Sequence, residues 1–309
     1  MKTLLRADAE KSVFHSYMPC VFPVTLILII FLSASQTSIA QDLRIKREAA
    51  TGTVMEELGN HRVLINSRGQ IVTLSELVHN DVVGTQQFQI ISHTKQFQPL
   101  QRQEVSAVGP AFEVSSFIET NDQGYIMTGS MGKSPLGIDS GFIIKALKLR
   151  GNGSFEWERN FNGNADDKAV GVQQTPDGGF LLIANTLSSD INFQNTTGSS
   201  QIWLGKLDSS GNKVWGKLLT NTQTNEAIDF KKTKDGNYIV CGKVSDNVAL
   251  GVDRSTGDGL ILKFKEDGTI IWQQYLGGNS ADEKLNRISI DESGNIFAAG
   301  FTFSNNGDF

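Results

Sequence analysis

Four runs of the chain are apolar at nearly every position and end on a small residue: Tyr125-Ile-Met-Thr-Gly129, Phe180-Leu-Leu-Ile-Ala184, Tyr238-Ile-Val-Cys-Gly242 and Ile296-Phe-Ala-Ala-Gly300. Burial on both faces is what a strand sandwiched between neighbouring sheets requires, and the closing small residue suits a crowded backbone. Each run follows an amphipathic stretch and a polar turn, within copies spanning Val114 to Met131, Val170 to Thr186, Ile228 to Val244 and Arg287 to Thr302. The turns are Asn121-Asp-Gln-Gly124, Pro176-Asp-Gly-Gly179, Lys234-Asp-Gly-Asn237 and Glu292-Ser-Gly-Asn295. Asp-Gly and Gly-Asn supply positive φ, so the pattern predicts two-residue hairpin loops joining antiparallel strands.

A second hairpin follows each of the first three copies, with turns Arg150-Gly-Asn-Gly153, Asp208-Ser-Ser-Gly211 and Lys265-Glu-Asp-Gly268. Its last strand completes a Gly-x-x-x-Trp signature at Gly153/Trp157, Gly211/Trp215 and Gly268/Trp272, with Trp spacings of 58 and 57 residues. Two hairpins make four strands per period, which is a propeller blade. The expected fold is all-β: a β-propeller of four-stranded blades at 112–169, 170–227 and 228–285, a half blade at 286–309, and an incomplete or small ring. A residue needed once per blade is packing, so Trp157, Trp215 and Trp272, with Gly153, Gly211 and Gly268, read as structural repeat positions.

The stretch Tyr275-Leu-Gly-Gly-Asn-Ser-Ala-Asp282, Ile288-Ser-Ile-Asp-Glu-Ser-Gly-Asn-Ile-Phe297, Gly300-Phe-Thr-Phe-Ser304 and Asp308-Phe309 resembles the bacterial seven-bladed β-propeller repeat (SBBP-type). That pattern is Gly-Gly, an acidic cluster, Asp-x-x-Gly-Asn, an aromatic, then Gly-aromatic-Thr-x-Ser. Upstream it weakens: Phe161-Asn-Gly163 and Leu219-Thr-Asn221 replace Gly-Gly, and Ala184-Asn-Thr186 replaces Gly-aromatic-Thr. The resemblance implies a secreted or surface-associated bacterial propeller without an assigned chemistry.

Residues 41–111 are less regular. Lys46 to Leu58 suits a short helix, and Arg62-Val-Leu-Ile-Asn-Ser-Arg-Gly69 with Gln70-Ile-Val-Thr73 reads as a decayed second hairpin, Gly69 standing for Gly211 and Thr73 for Trp215. Such a hairpin is a candidate to close the ring by completing the half blade. Residues 1–40 read as a signal peptide: Lys2, Arg6 and Lys11 precede the apolar run Val21 to Leu32, and Ser38-Ile39-Ala40 offers cleavage after Ala40. The apolar run is too short to span a bilayer, so no stable membrane span is expected after cleavage. Localisation is expected to be secreted, periplasmic or cell surface.

The 309 residues carry a net charge of −5, which excludes an electrostatic footprint for nucleic acid. Of two cysteines, Cys20 leaves with the signal and Cys241 sits in an apolar strand as a small hydrophobe. His15, His61, His79 and His93 all lie outside the recognised repeats, leaving no imidazole on them for acid-base or metal chemistry. Asp208 to Trp215 is similar to the blade-docking motif of quinone-cofactor dehydrogenases, whose rings need about twice as many blades. Acidic pairs Asp166-Asp167 and Asp282-Glu283 lack the Asp-x-Asp-x-Asp spacing of a calcium loop and read as solvated turn residues. No catalytic residue, metal site or cofactor is expected, and the chain is expected not to be an enzyme. The expected function is a scaffold binding protein or glycan through loops at Met131 to Asp139, Ser188 to Ser200 and Val244 to Gly259. The alternative is the N-terminal fragment of a larger extracellular enzyme or sorted surface protein.

Overall fold

The computed structural model describes residues 62–78, 85–108, 112–132, 141–190, 193–194, 198–220, 224–245, 257–277 and 283–302. The chain divides into two units, Met1–Thr53 and Val54–Phe309, and all described residues belong to the second. The signal segment, the helix expected at Lys46 to Leu58 and much of the three long loops lie outside the described residues.

The described residues form 18 strands and no helix. Sheet I holds β1 (Arg62–Ile65), β2 (Ile71–Val78), β3 (Thr85–His93) and β4 (Pro99–Val108). Sheet II holds β5 (Phe112–Glu119), β6 (Tyr125–Gly132), β7 (Phe142–Leu149) and β8 (Phe155–Phe161). Sheet III holds β9 (Asp167–Gln174), β10 (Phe180–Thr186), β11 (Gln201–Leu207) and β12 (Lys213–Leu218). Sheet IV holds β13 (Thr224–Lys232), β14 (Tyr238–Ser245), β15 (Asp258–Phe264) and β16 (Ile270–Leu276), and β17 (Lys284–Ile290) pairs only with β18 (Ile296–Phe301). Every sheet is an antiparallel meander in chain order. The architecture is propeller-like, with no sheet closed into a ring.

Sheet I changes the reading of the N-terminal region. The hairpin around Gly69 forms, but it joins β3 and β4 in a sheet of its own rather than pairing with β17 and β18. It is also the first hairpin of its sheet, since β1 packs on β5 as β5 packs on β9. The left-handed turn positions therefore run Gly69, Gln123, Gly178, Gly236 and Gly294 in first hairpins, and Phe97, Gly153, Gly211 and Gly268 in second hairpins. Phe97 stands where Gly153 stands one sheet later, and Gln101 stands where Trp157 does.

All nine of these turns share one hydrogen-bond form. In the turn of sheet III, Thr175 N donates to Gly179 O at 2.9 Å and Gly178 N donates to Thr175 O at 3.0 Å. The loops hence contain three residues with one left-handed position, Gly178 at φ 82°, rather than the two-residue form expected from Asp-Gly. Gln123 occupies that position at φ 60° with a Cβ that the conformation disfavours. Gln123→Gly is expected to stabilise the protein by about 1 kcal/mol, read as a higher melting temperature; a lower one would contradict the assignment.

The second strands of sheets II to IV are buried on both faces because each faces a different neighbour on either side. In β6, Met127 enters the cluster shared by sheets I and II, whereas Ile126 enters the cluster shared by sheets II and III. Further clusters join sheet III to sheet IV, and sheet IV to β17–β18. No described strand covers the outer face of the last hairpin, so Phe297 is 59% and Phe301 41% exposed, whereas Ile239, at the Phe297 position of sheet IV, is fully buried.

The first strands of sheets II to IV and of the last hairpin carry one unpaired residue each, Ser115, Val170, Ile228 and Asn286, at the same place. These bulges turn backbone groups toward the adjacent sheet. Ser115 Oγ donates to Ala169 O at 2.7 Å, Asn185 bonds both backbone groups of Ala227, and Ile288 N donates to Asp229 Oδ2 at 2.8 Å. Burial, then the charge of Arg287, lowers the pKa of Arg62. The last hairpin does not pair with the first sheet.

Candidate functional site

Gly153, Gly211 and Gly268 are required for two reasons. Each has φ between 76° and 82°, and each lies against the fourth strand of the preceding sheet. An ideal Cβ would stand 2.2 Å from Gln103 at Gly153, 2.8 Å from the Trp157 ring at Gly211, and 2.3 Å from Lys217 at Gly268. Trp157 Nε1 donates to Ser209 O at 3.2 Å, and Arg159 donates to Ser210 O at 2.8 Å. Trp157 is buried, whereas Trp215 and Trp272 are half-buried against the two clusters that involve sheet IV.

A second repeated device escaped the sequence reading. Lys148, Lys206 and Lys263, next to last in their third strands, pair with turn carboxylates Asp122, Asp177 and Asp235 at 2.8, 2.7 and 2.7 Å. Thr120, Thr175 and Thr233 donate their hydroxyls to the same carboxylates. The recurring Thr-x-Asp before the first three apolar runs was its sequence signal. Burial works to raise the Asp122 pKa, but Lys148 and Thr120 outweigh it and hold it at about 2. Lys206 and Thr175 hold Asp177 well below the usual carboxylate range, as Lys263 and Thr233 hold Asp235.

These depressed values set the sign of an acid effect. The unfolded carboxylates titrate near 3.8, so the clamps stabilise the fold fully above that pH and release it as pH falls through the folded values. Denaturation midpoints are expected to hold from neutrality to about pH 5 and to fall steeply between about pH 4 and 2. Asp177→Asn is expected to soften that acid limb, and an unchanged limb would count against the clamps.

The acidic pairs are not solvated turn residues, which corrects the reading of Asp166-Asp167 and Asp282-Glu283 for the residues described. Asp167 is fully buried, with Oδ1 accepting from Thr186 Oγ1 at 2.5 Å and Oδ2 from Ser188 Oγ at 2.8 Å and Gly163 N at 3.1 Å. Glu283 is likewise fully buried. Asp166 is half-buried, its Oδ1 accepting from Phe142 N at 3.1 Å. Cys241 is a buried free thiol donating to Leu285 O at 3.6 Å, and burial pushes its pKa up to about 12, so it is no nucleophile.

A cleft of about 300 Å³ opens between sheets III and IV, lined by Asp166, Lys168, Asn185, Glu226, Lys243 and Ser245, with Leu187, Ser200 and Thr224 at its borders. Leu187 precedes and Ser200 ends the loop singled out at Ser188 to Ser200, and Ser245 starts the one at Val244 to Gly259. Two of its residues, Lys168 and Glu226, belong to a row two residues before each bulge, Glu113, Lys168, Glu226 and Lys284, that alternates in sign from sheet to sheet. Lys168 Nζ lies 4.8 Å from the Phe142 ring centroid. Among the described residues, the exposed Glu226 carboxylate has no hydrogen-bond or ion-pair partner, though Lys243 stands opposite it across β13 and β14. No three His, Cys, Asp or Glu side chains come together among the described residues. None of those residues forms a helix long and apolar enough to cross a membrane.

No protein-family model matches the sequence, and no curated protein matches it. Solved structures do resemble it. A protein of unknown function from Dyadobacter fermentans DSM 18053 aligns at TM-score 0.47 and 12% identity over 79% of this chain and 78% of that one. A chimera of apocarotenoid oxygenase and RPE65 aligns at TM-score 0.45 and 10% identity over 81% of this chain and 56% of that one. A mutant of the Synechocystis apocarotenoid oxygenase aligns at TM-score 0.44 and 11% identity over 82% and 57%. The chain thus spans little more than half the length of these oxygenase chains. The expectation that this chain is not an enzyme does not stand, since its structural neighbours include oxygenases. Its histidine argument also fails, because His93 ends β3 on a full four-stranded sheet, with Nε2 3.2 Å from Thr73 Oγ1. At these identities and TM-scores the likeness assigns no activity.

Proposed function

We propose that this chain is a β-propeller of the bacterial repeat type, exported by its N-terminal segment to the periplasm, cell surface or medium, whose loop-bearing face binds another protein. The cleft between sheets III and IV is the contact site. One observation carries this reading: the bases of two long, divergent loops border a single cleft in which the Glu226 carboxylate has no partner. Loops on a rigid frame are where recognition concentrates. A protein partner suits the cleft better than a glycan, because no aromatic ring lines it and Trp157 and Trp203 are buried in packing. Alternating charges select a register on an extended chain more than they add affinity.

A peptide phage library and a glycan array, both probed with the purified chain, test the reading. Enriched peptides are expected to lose about tenfold in affinity, near 1.4 kcal/mol, with Glu226→Lys. Binding confined to glycans, or peptides indifferent to the substitution, would overturn it. A second reading, the N-terminal part of a longer extracellular protein, is favoured by β18, whose exposed Phe297 stands where Ile126, Leu181 and Ile239 are buried in sheets II to IV.

A further inference from the structure

We propose that the interface between sheet IV and the β17–β18 hairpin binds a divalent cation of the calcium type, held by the carboxylates of Asp258 and Glu283. Each interface in the stack is built alike, so its occupants can be compared position by position. Glu283 N donates to Gly257 O at 3.1 Å as Asn225 N donates to Ser200 O at 2.9 Å one interface earlier. Asp258 stands five residues before the clamp lysine Lys263, and Gln201 stands five before Lys206. The interface between sheets III and IV thus buries two amides, Gln201 and Asn225, where the next one buries two acids.

One donor of the preceding interface has no counterpart at this one. Thr220, whose hydroxyl donates to Gln201 Oε1 at 3.3 Å, is replaced at the corresponding place by Gly277. The Asp258 carboxylate fills the space so made, its Oδ1 2.1 Å from where a Cβ of residue 277 would be. Glu283 Oε1 accepts from Thr302 Oγ1 at 3.1 Å, but Oε2 is buried and meets no donor. The matching acid Asp167, one methylene shorter, has both oxygens satisfied. A bare carboxylate oxygen in a protein interior is strongly disfavoured unless a cation or proton joins it.

The donor set decides which cation. Two carboxylates, a hydroxyl and the nearby Gly257 carbonyl are oxygen ligands without nitrogen or sulfur, which suits a hard cation. Calcium accepts an irregular mix of carboxylate, carbonyl and water, whereas magnesium demands a tight octahedron. With only two carboxylates the Kd is expected at about 10⁻⁴ to 10⁻³ M, as for extracellular calcium modules.

Thermal melting of the whole chain in EDTA and in millimolar CaCl₂ tests the site. Calcium is expected to raise the melting temperature of the wild type. Glu283→Gln, which restores the amide chemistry of the preceding interface, is expected to melt above the wild type in EDTA and to ignore calcium. Terbium is expected to luminesce through Trp272, which packs on the same interface cluster, and to be chased by excess calcium. Equal melting of the wild type in EDTA and calcium, or an undiminished calcium response in Glu283→Gln, would overturn the site. An equal response to MgCl₂ would overturn the assignment to calcium. Should Glu283→Gln not fold, Asp258→Asn is expected to lose the calcium response, and its retention would overturn the proposal.

Discussion

Trp203→Ala is expected to destabilise the protein by about 3–5 kcal/mol, the range for truncating a fully buried large aromatic residue. Trp203 has no exposed surface and sits in the cluster that joins sheets II and III. Its ring lies over Gly205 and Gly216, which face each other across β11 and β12, and an ideal Cβ on them would stand 2.1 and 2.6 Å from it. Phe193 and Phe161 flank the ring, with centroids 5.0 and 6.2 Å away. Two glycines leave no side chain to collapse into the hole, so the cavity term persists in full. The indole N–H is buried without an acceptor, so Trp203→Phe removes an unsatisfied donor along with some volume and is expected to cost less than about 2 kcal/mol. Urea denaturation of the three proteins gives the comparison, and a Trp203→Ala variant within about 1 kcal/mol of wild type would refute the packing role.

The second large effect is expected from Asp167. Asp167→Ala should cost about 3–5 kcal/mol, because it leaves two buried hydroxyls and the Gly163 N–H without their acceptor. The three donors come from the loop after β8 and from the end of β10, so the carboxylate ties sheet II to sheet III. Asp167→Asn keeps the shape but turns an NH₂ toward donors, with an expected cost of about 1–3 kcal/mol. Amide exchange at Gly163 would report the loss locally, and unchanged protection there in Asp167→Ala would contradict the assignment.

The strands of sheets II to IV were legible because Gly and Asp mark each turn and the apolar run after it is unmistakable. Sheet I was not, for two physical reasons. Phe97 adopts the left-handed conformation without being glycine, and Gln101 replaces the tryptophan, so both marks of the second hairpin are missing. Gly69 was present but is ambiguous, because first and second hairpins use the same three-residue turn. The buried acids misled for a related reason: Asp166-Asp167 looks like a polar turn, and the Thr186 and Ser188 hydroxyls that help make burial of Asp167 tolerable stand some twenty residues away. Trp203 was overlooked because it falls outside the Gly-x-x-x-Trp period. The cleft was partly legible, since two loops flagged by length border it. The Glu113, Lys168, Glu226, Lys284 row was not, because its register depends on bulges that the sequence does not announce.

The four hydrophobic clusters are each shared by two successive sheets. Cohesion of this kind is passed from neighbour to neighbour, as in a one-dimensional chain of coupled units, so opening need not be all-or-none. β17 and β18 depend on a single coupling, through Leu285 and Ile288 against Ile239 and Cys241. Their amide protons should therefore be the first to exchange with solvent, and Cys241 should become reactive to thiol reagents when that last coupling parts, well before the sheets around Trp203 let go.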